Sequence, residues 1–378
     1  MLQRSLSTAL CHRGCALGWS KPMNNVAARN LTHSGMRGYT TAQSPLHFIT
    51  LRDLDAGEIR RLVQTALKFK HQCKDQGKKF HPQQPLLGQT LAILFSKRST
   101  RTRVATETSM TYLGGQGLFL SGQDIQLGVN ESLRDTSQVV SSMCSGIMAR
   151  VGEHREIEEL ARYSSVPVVN ALSDLFHPTQ ILADLMTMHE FIVAEQNSAA
   201  TSARLAHQVP LEDTLPGLKV AWVGDANNIV YEMMMAFPKV GINLAVATPS
   251  KYPVPAWLQD TAQSFTKQHQ TEITYTSSPT EAISGSNVIV TDTWVSMGQE
   301  AEKQQRLQDF AGFQVTQDLI QRGGAHPNWK FMHCLPRKPE EVDDAVFYSP
   351  QSVVFQEAEN RKWTIMAVLN AVMVDKKY

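Results

Sequence analysis

Two doubly wound parallel-sheet α/β domains, joined by bridging helices, are what this sequence predicts, on three observations. Its 378 residues exceed the length at which a single core usually stops growing, so two domains are expected. Short apolar runs alternate with helix-periodic stretches in both halves, the pattern of a parallel sheet whose strands are joined by crossover helices. Between the two series, Ala194 to Leu215 turns rich in Ser, Ala and Gln without firm periodicity and reads as a surface insertion or linker.

In chain order, Ile59, Leu62, Val63, Ala66, Leu67 and Phe69 recur at helical spacing and predict an amphipathic helix trailing into a Lys-rich segment to Lys79. Gly88 then leads into Leu91-Ala92-Ile93-Leu94-Phe95, a continuous apolar run of strand length. Ser96 to Arg103 is a loop into a helix ending near Leu113. The rhythm repeats: strand Gly117 to Leu120, helix around Val139 and Val140, strand Ile147 to Ala149, helix Glu156 to Tyr163, strand Val166 to Val169. His177 to Val193 is one long helix, with Ile181, Leu182, Leu185 and Met188 on its apolar side, placed to bridge the domains.

Leu218 to Asp225 opens the second series, continued by strands at Leu244 to Ala247, Val288 to Val290 and Trp329 to Met332. A final helix from about Ala358 to Val374 sets Trp363, Met366, Ala367 and Asn370 on one side.

Composition narrows the function classes. Lys plus Arg (36) nearly equal Asp plus Glu (35), which argues against a nucleic-acid binder relying on a basic face. No run approaches the roughly 18 apolar residues of a membrane span, so no membrane partner is expected. The five cysteines form no CxxC pair and no zinc spacing, so neither disulfides nor a metal are expected. No Asp or Glu precedes Asp53, whereas Arg4, Arg13, Lys21, Arg29, Arg37 and Arg52 do. That acid-free composition predicts a mitochondrial transit peptide over residues 1–39, with cleavage near Arg37-Gly38-Tyr39 and a mature start near Thr40; a basic tail is the bland alternative.

Four motifs carry chemistry. Ser99-Thr100-Arg101-Thr102 joins an apolar strand to a helix start, where free backbone N–H groups, hydroxyls and guanidinium groups converge on an anion such as an acyl phosphate. His177-Pro178-Thr179-Gln180 begins a helix with His and Gln on one face, as ligands or as a cap; Asp184, a turn on, stays unassigned. Gly224-Asp225-Ala226-Asn227-Asn228 follows a strand but lacks the G-x-G-x-x-G spacing, so its amides suit a small amino acid better than a dinucleotide. Asp292 after the next apolar strand suits an ammonium group or an N-cap, and His333-Cys334-Leu335-Pro336 ends the last strand with carbonyls left unpaired by Pro336. Cys334 is a candidate reactive thiol or a small buried hydrophobe.

Taken in order from about Leu51 to the last helix, these motifs resemble the ornithine carbamoyltransferase family. The Ser-Thr-Arg-Thr and His-Pro-x-Gln runs are shared with aspartate carbamoyltransferases; Asp292-x-x-x-Ser296-Met297-Gly298 and His333-Cys334-Leu335-Pro336 resemble the ornithine signatures. The resemblance implies transfer of a carbamoyl group from carbamoyl phosphate to L-ornithine in the mitochondrial matrix, for arginine biosynthesis or the urea cycle, with no cofactor and no metal. It implies a carbamoyl phosphate-binding domain over 45–190 completed by the C-terminal helix 355–378, and an ornithine-binding domain over 191–354. Ser99, Thr100, Arg101, Thr102, Arg150, His177, Gln180, Cys334, Leu335 and Arg361 would hold carbamoyl phosphate, and Asn228, Asp292, Ser296 and Met297 would hold ornithine. Cys334, Arg101 and His177 would be catalytic, with Cys334 as proton acceptor.

Family members are homotrimers in which a neighbour's loop, here Gln123 to Gly128, reaches carbamoyl phosphate. Gln126 departs there from the His of several animal relatives. Two other readings remain: a carbamoyltransferase using another amine such as putrescine, and a catalytically idle paralogue. Asn228 speaks against the first, since putrescine has no carboxylate to hold.

Overall fold

The computed structural model describes residues 44–122, 131–196, 205–295 and 300–378. Ser44–Tyr378 form one compact unit built on two parallel sheets. Its first helix, α1 (Ala56–Lys74), starts where Asp55 accepts from the Glu58 backbone N–H and Glu58 accepts from that of Asp55, both at 2.7 Å. That reciprocal cap satisfies two otherwise orphaned donors. The apolar stripe read from sequence is its buried face, but the helix stops at Lys74, short of the Lys-rich segment to Lys79.

The first sheet has β1 (Thr90–Phe95), β2 (Gln116–Ser121), β3 (Gly146–Arg150) and β4 (Val168–Leu172) in the order β2-β1-β3-β4, all parallel. Its helices are α2 (Thr100–Tyr112), α3 (Leu133–Met143), α4 (His154–Tyr163) and α5 (Pro178–Gln196). The order reverses direction between β1 and β3, and the register sets Phe95 beside Arg150. An open parallel sheet binds ligands beyond the carboxyl ends of strands at such a switch point. The Ser99 loop and Arg150 lie there.

The second sheet repeats the device. Strands β5 (Lys219–Val223), β6 (Asn243–Ala247), β7 (Ile273–Thr276), β8 (Val288–Thr291) and β9 (Lys330–His333) take the order β7-β6-β5-β8-β9, again parallel. The reversal falls between β5 and β8, whose ends lead to Gly224–Asn228 and to Asp292. Helices α6 (Asn228–Ala236), α7 (Ala256–His269), α8 (Pro279–Ile283), α9 (Lys303–Asp309), α10 (Gln317–Gly323) and α11 (Asp344–Phe347) surround it. Edge strand β7 was not expected from the sequence: its four residues, Ile-Thr-Tyr-Thr, carry no continuous apolar run because none of them is fully buried.

The last helix, α12 (Val354–Leu369), continues as a wider turn over Asn370–Asp375 and starts four residues before the expected Ala358. It packs against α1, α2 and α5, so the C-terminus of the chain covers the first sheet while its N-terminal turn meets β9. Helix α5 also packs against α6 and is buried over nearly its whole circumference. Burial of each of its Ile, Leu and Met side chains contributes about 1.5–3 kcal/mol relative to exposure, so this helix ties the two sheets together.

The stretch 194–215 corrects the expectation of a surface linker. Helix α5 runs on to Gln196, residues 197–204 lie outside the described residues, and Ala206, Leu211 and Leu215 belong to the core. Buried His189 bonds the Thr214 hydroxyl at 2.7 Å and the Ala206 carbonyl at 2.8 Å, anchoring the segment to α5. Three core residues spread over ten positions, two of them in short 3-10 turns and Leu215 beyond, leave no helical or strand period to read. No helix among the described residues is long and apolar enough to cross a membrane.

Candidate active site

Ser99 caps α2, its hydroxyl accepting from the Thr102 N–H at 3.3 Å. The first turn therefore keeps its remaining donors at the carboxyl edge of the sheet, with no acidic residue in it to neutralise them. Arg361, from α12, is 3% exposed and reaches into the same place. It donates to the Thr102 hydroxyl at 3.3 Å, the Thr179 hydroxyl at 3.1 Å and the Gln180 side-chain oxygen at 2.7 Å, and lies 3.4 Å from His177 Nε2. Arg101 donates to the Leu335 carbonyl across the gap between the sheets.

Three guanidinium groups thus crowd one buried region. Burial first, then the charges of Arg101 and Arg150, lower the Arg361 pKa to about 10; burial and Arg101 lower Arg150 to about 10 as well. The Nε atoms of Arg150 and Arg361 are buried without a hydrogen-bond partner. Like charges in a low-dielectric site with unmet donors create demand for a multivalent anion. Burial and the same three arginines hold the His177 pKa well below its usual value, so its ring is neutral and adds no charge to the site.

On the other side, Asp292 follows β8 and is 6% exposed. Its Oδ1 accepts from the Cys334 thiol at 3.0 Å and its Oδ2 from the Asn227 amide at 3.0 Å. Burial raises the Asp292 pKa, and burial together with the Asp292 charge raises that of Cys334 well above the thiol range. Cys334 is therefore a protonated thiol poised on a carboxylate, not a standing thiolate. Asp292, His333 and Cys334 bring ligand-type atoms within 4.8 Å of one another, but both His333 ring nitrogens are engaged: Nε2 with Glu341 at 3.1 Å and Nδ1 by the Leu335 N–H at 2.9 Å. Within the trio only Cys334 and Asp292 are bonded to each other, and neither imidazole nitrogen is left for a metal.

Residues 46–190 match the family model described as the carbamoyl-P binding domain of aspartate/ornithine carbamoyltransferase, and residues 216–372 match that of its Asp/Orn binding domain. The chain belongs to the aspartate/ornithine carbamoyltransferase family. A mitochondrial ornithine carbamoyltransferase from Coccidioides immitis is 47% identical over 92% of this chain and 99% of its own length. One from the frog Aquarana catesbeiana is 48% identical, covering 86% of each chain. Among solved structures, the Coccidioides immitis enzyme superposes with a TM-score of 0.77 at 45% identity over 88% of this chain and 98% of that one. The ornithine carbamoyltransferase from Pyrococcus furiosus gives 0.77 at 40% identity, covering 87% and 97%.

Within this carbamoyltransferase fold, Ser99, Thr102, Arg101, His177, Gln180, Arg361 and Leu335 converge on one region, linked by the bonds and contacts above, and the charge of Arg150 acts on Arg361 and feels that of Arg101. Thr100 opens α2 beside them. Two observations bear on the roles expected from the sequence. The Leu335 carbonyl is not free: Arg101 occupies it. The Asn228 amide donates to the Ser173 carbonyl at 2.6 Å, stitching the second sheet's first turn to the end of the first sheet. Ser296, Met297 and the loop with Gln126 lie outside the described residues. Sequence reasoning also passed over Asn227, which caps α6 through the Ile229 N–H while holding Asp292; its place in an Asn-Asn doublet beside the chosen Asn228 was the signal.

Proposed function

We propose that this chain transfers the carbamoyl group of carbamoyl phosphate to the δ-amine of L-ornithine, giving L-citrulline and phosphate, as a step of arginine biosynthesis or the urea cycle. The observation that carries it is the trio Arg101, Arg150 and Arg361 facing, across the sheet joint, the Asp292–Cys334 pair: an anion site opposite a cation site. Residues 45–190 with the last helix serve carbamoyl phosphate, and 191–354 serve ornithine.

Carbamoyl phosphate seats its phosphoryl oxygens on the Ser99 to Thr102 turn, on Arg101, and on the open donors of Arg150 and Arg361. Phosphate competes for Arg101, which frees the Leu335 carbonyl; that carbonyl and that of Cys334 then accept from the carbamoyl NH2. Neutral His177 and the Thr102 hydroxyl donate to the carbonyl oxygen, where charge grows as the tetrahedral intermediate forms. Asn228 orients the ornithine carboxylate, Asp292 its α-ammonium, and Ser296 and Met297 line the side chain.

The δ-amine must be neutral to attack, and deprotonation of an amine of pKa about 10.4 near pH 8 costs roughly 3 kcal/mol. Cys334 takes that proton as its own passes to Asp292, a carboxylate that burial makes more basic than an ordinary one. A new C–N bond forms, the C–O bond to phosphate breaks, its electron pair leaves with the phosphate, and the phosphate carries away the remaining proton of the attacking nitrogen. No cofactor is called for, because the acyl phosphate is already activated and positioning with charge stabilisation suffices.

The assembly is a homotrimer, with the neighbour's loop near Gln126 completing the phosphate side. Val104, Leu118, Val139 and Met143, all on the first sheet's elements, are 46–76% exposed, which supports a subunit interface on that domain. The acid-free leader and the relatives named as mitochondrial support residence in the matrix. Steady-state assays with carbamoyl phosphate and ornithine, putrescine or aspartate test the reading: ornithine alone is turned over efficiently, and the absence of citrulline formation refutes it.

A further inference from the structure

Behind the arginine cluster lie two carboxyl groups for which the chemistry above has no use. Gln180 donates through its one amide nitrogen to Asp184 Oδ1 and to Glu357 Oε1, each at 2.8 Å. Glu357 uses its other oxygen to accept from the His333 backbone N–H at 2.9 Å, at the entrance to Cys334 and Leu335. Both acids are 1% exposed. Two carboxylates converging on one NH2 cannot both stay ionised in a dry site, and a proton between them converts repulsion into a hydrogen bond.

We propose that Asp184 and Glu357 share one proton and act together as positioning residues, fixing the Gln180 amide and the Cys334–Leu335 turn while limiting the negative charge beside the phosphate site. The proposal rests on the reading of that site as the carbamoyl phosphate site.

Geometry supports each part. Carboxyls accept from the Gln180 nitrogen and Arg361 donates to its oxygen, so the amide has one orientation, and only its oxygen has capacity left toward substrate. Glu357 ties this amide on α5 to the backbone of β9, joining the phosphate side to the thiol side through one side chain. The groups facing the pair are Arg361 on its own helix, Asp292 after β8, and Cys334 after β9. Burial, then the charge of Asp184, raises Glu357 well above the usual carboxylate range, and burial raises Asp184. With one proton held, the pair contributes a single negative charge against three arginines; loss of that proton adds a second charge close to Arg361 and weakens the hold on phosphate.

Anion binding therefore favours the protonated pair, and carbamoyl phosphate is bound with uptake of protons when the pH is alkaline enough for the pair to be losing its proton. Titration calorimetry of the purified enzyme with carbamoyl phosphate, in two buffers of different ionisation enthalpy from pH 7 to 9.5, counts those protons. The native enzyme is expected to take up protons at the alkaline end while its affinity falls about tenfold across the range, the size of one extra charge at an effective dielectric near 20. Glu357→Gln mimics the protonated form and is expected to bind with neither the uptake nor the fall; Asp184→Asn serves if the first variant does not fold. Binding by the native enzyme without linked protons, or uptake that persists in the variants, overturns the proposal. Failure of the native enzyme to bind carbamoyl phosphate at all overturns the reading of the site beneath it, a different and recognisable result.

Discussion

Arg361→Met separates binding from folding most sharply. Arg361 is fully buried, and its pKa, lowered from 12.5 to about 10 by burial and then by Arg101, means that the folded protein disfavours its charge by about 3 kcal/mol. Against that stand hydrogen bonds to Thr102, Thr179 and Gln180, charge-assisted bonds typically of about 1.5–3 kcal/mol each. The two terms oppose each other and leave roughly 1.5–6 kcal/mol against the variant, from which burial of an apolar chain of similar length subtracts about 1.5–3 kcal/mol of ligand-free stability loss.

Binding has no such offset. One or two charge-assisted contacts to phosphate are lost, and carbamoyl phosphate affinity falls by about a hundredfold. The assay is thermal unfolding with and without carbamoyl phosphate at a fixed concentration of about one hundred times the native Kd. Native protein gains about 2.7 kcal/mol from the ligand and the variant about 0.4 kcal/mol. A variant that melts far lower without ligand yet keeps the native ligand-induced shift refutes the assignment of Arg361 to the phosphate site.

Three further outcomes follow from the same structure. Asp292→Asn removes the charge that faces the ornithine ammonium, so the KM for ornithine rises about tenfold to a hundredfold while carbamoyl phosphate affinity changes by no more than about twofold; a lower melting temperature with unchanged kinetics contradicts this. Burial raises the Glu232 pKa from 4.5 to about 8, so its contribution to stability is present below about pH 4.5 and is lost as the pH rises through 8. Glu232→Gln keeps the single oxygen that accepts from the Thr50 hydroxyl and the Leu51 N–H, and is expected to be more stable than native protein at pH 8 by about 1–3 kcal/mol and equal to it near pH 5, as denaturant titration at both pH values will read. Import of the full chain into isolated mitochondria followed by N-terminal sequencing is expected to give a start near Thr40; retention of the full leader on the imported chain contradicts the transit-peptide reading.

The site was legible where chemistry and local structure coincide in a short run. Ser99 to Thr102 carry both a helix cap and the proposed phosphate turn, and Asp292 and Cys334 each sit one residue beyond the end of a strand, so strand ends alone located them. Arg150 and Arg361 entered through the resemblance alone, since each looks like an ordinary residue of its element until β1–β3 pairing and the return of α12 bring it beside Arg101. Asp184 and Glu357 stayed mute because 173 residues separate them and a buried shared proton has no sequence signature. Several second-domain helices and strand β7 were also missed; pieces of four to seven residues such as α8 and α11 are set by caps at Ser278 and Asp343 and by packing, not by a repeating period. Strand order could not be read at all, because crossover direction is a property of contacts far apart in the chain.

The central claim is that phosphate and amine sites belong to one reacting centre. Carbamoyl phosphate labelled with 13C at its carbonyl, mixed with ornithine and followed by NMR, tests it directly. The expected result is that the label appears in the ureido carbon of citrulline at the rate at which phosphate is released. Phosphate release without labelled citrulline, or equal labelling of putrescine, contradicts the account.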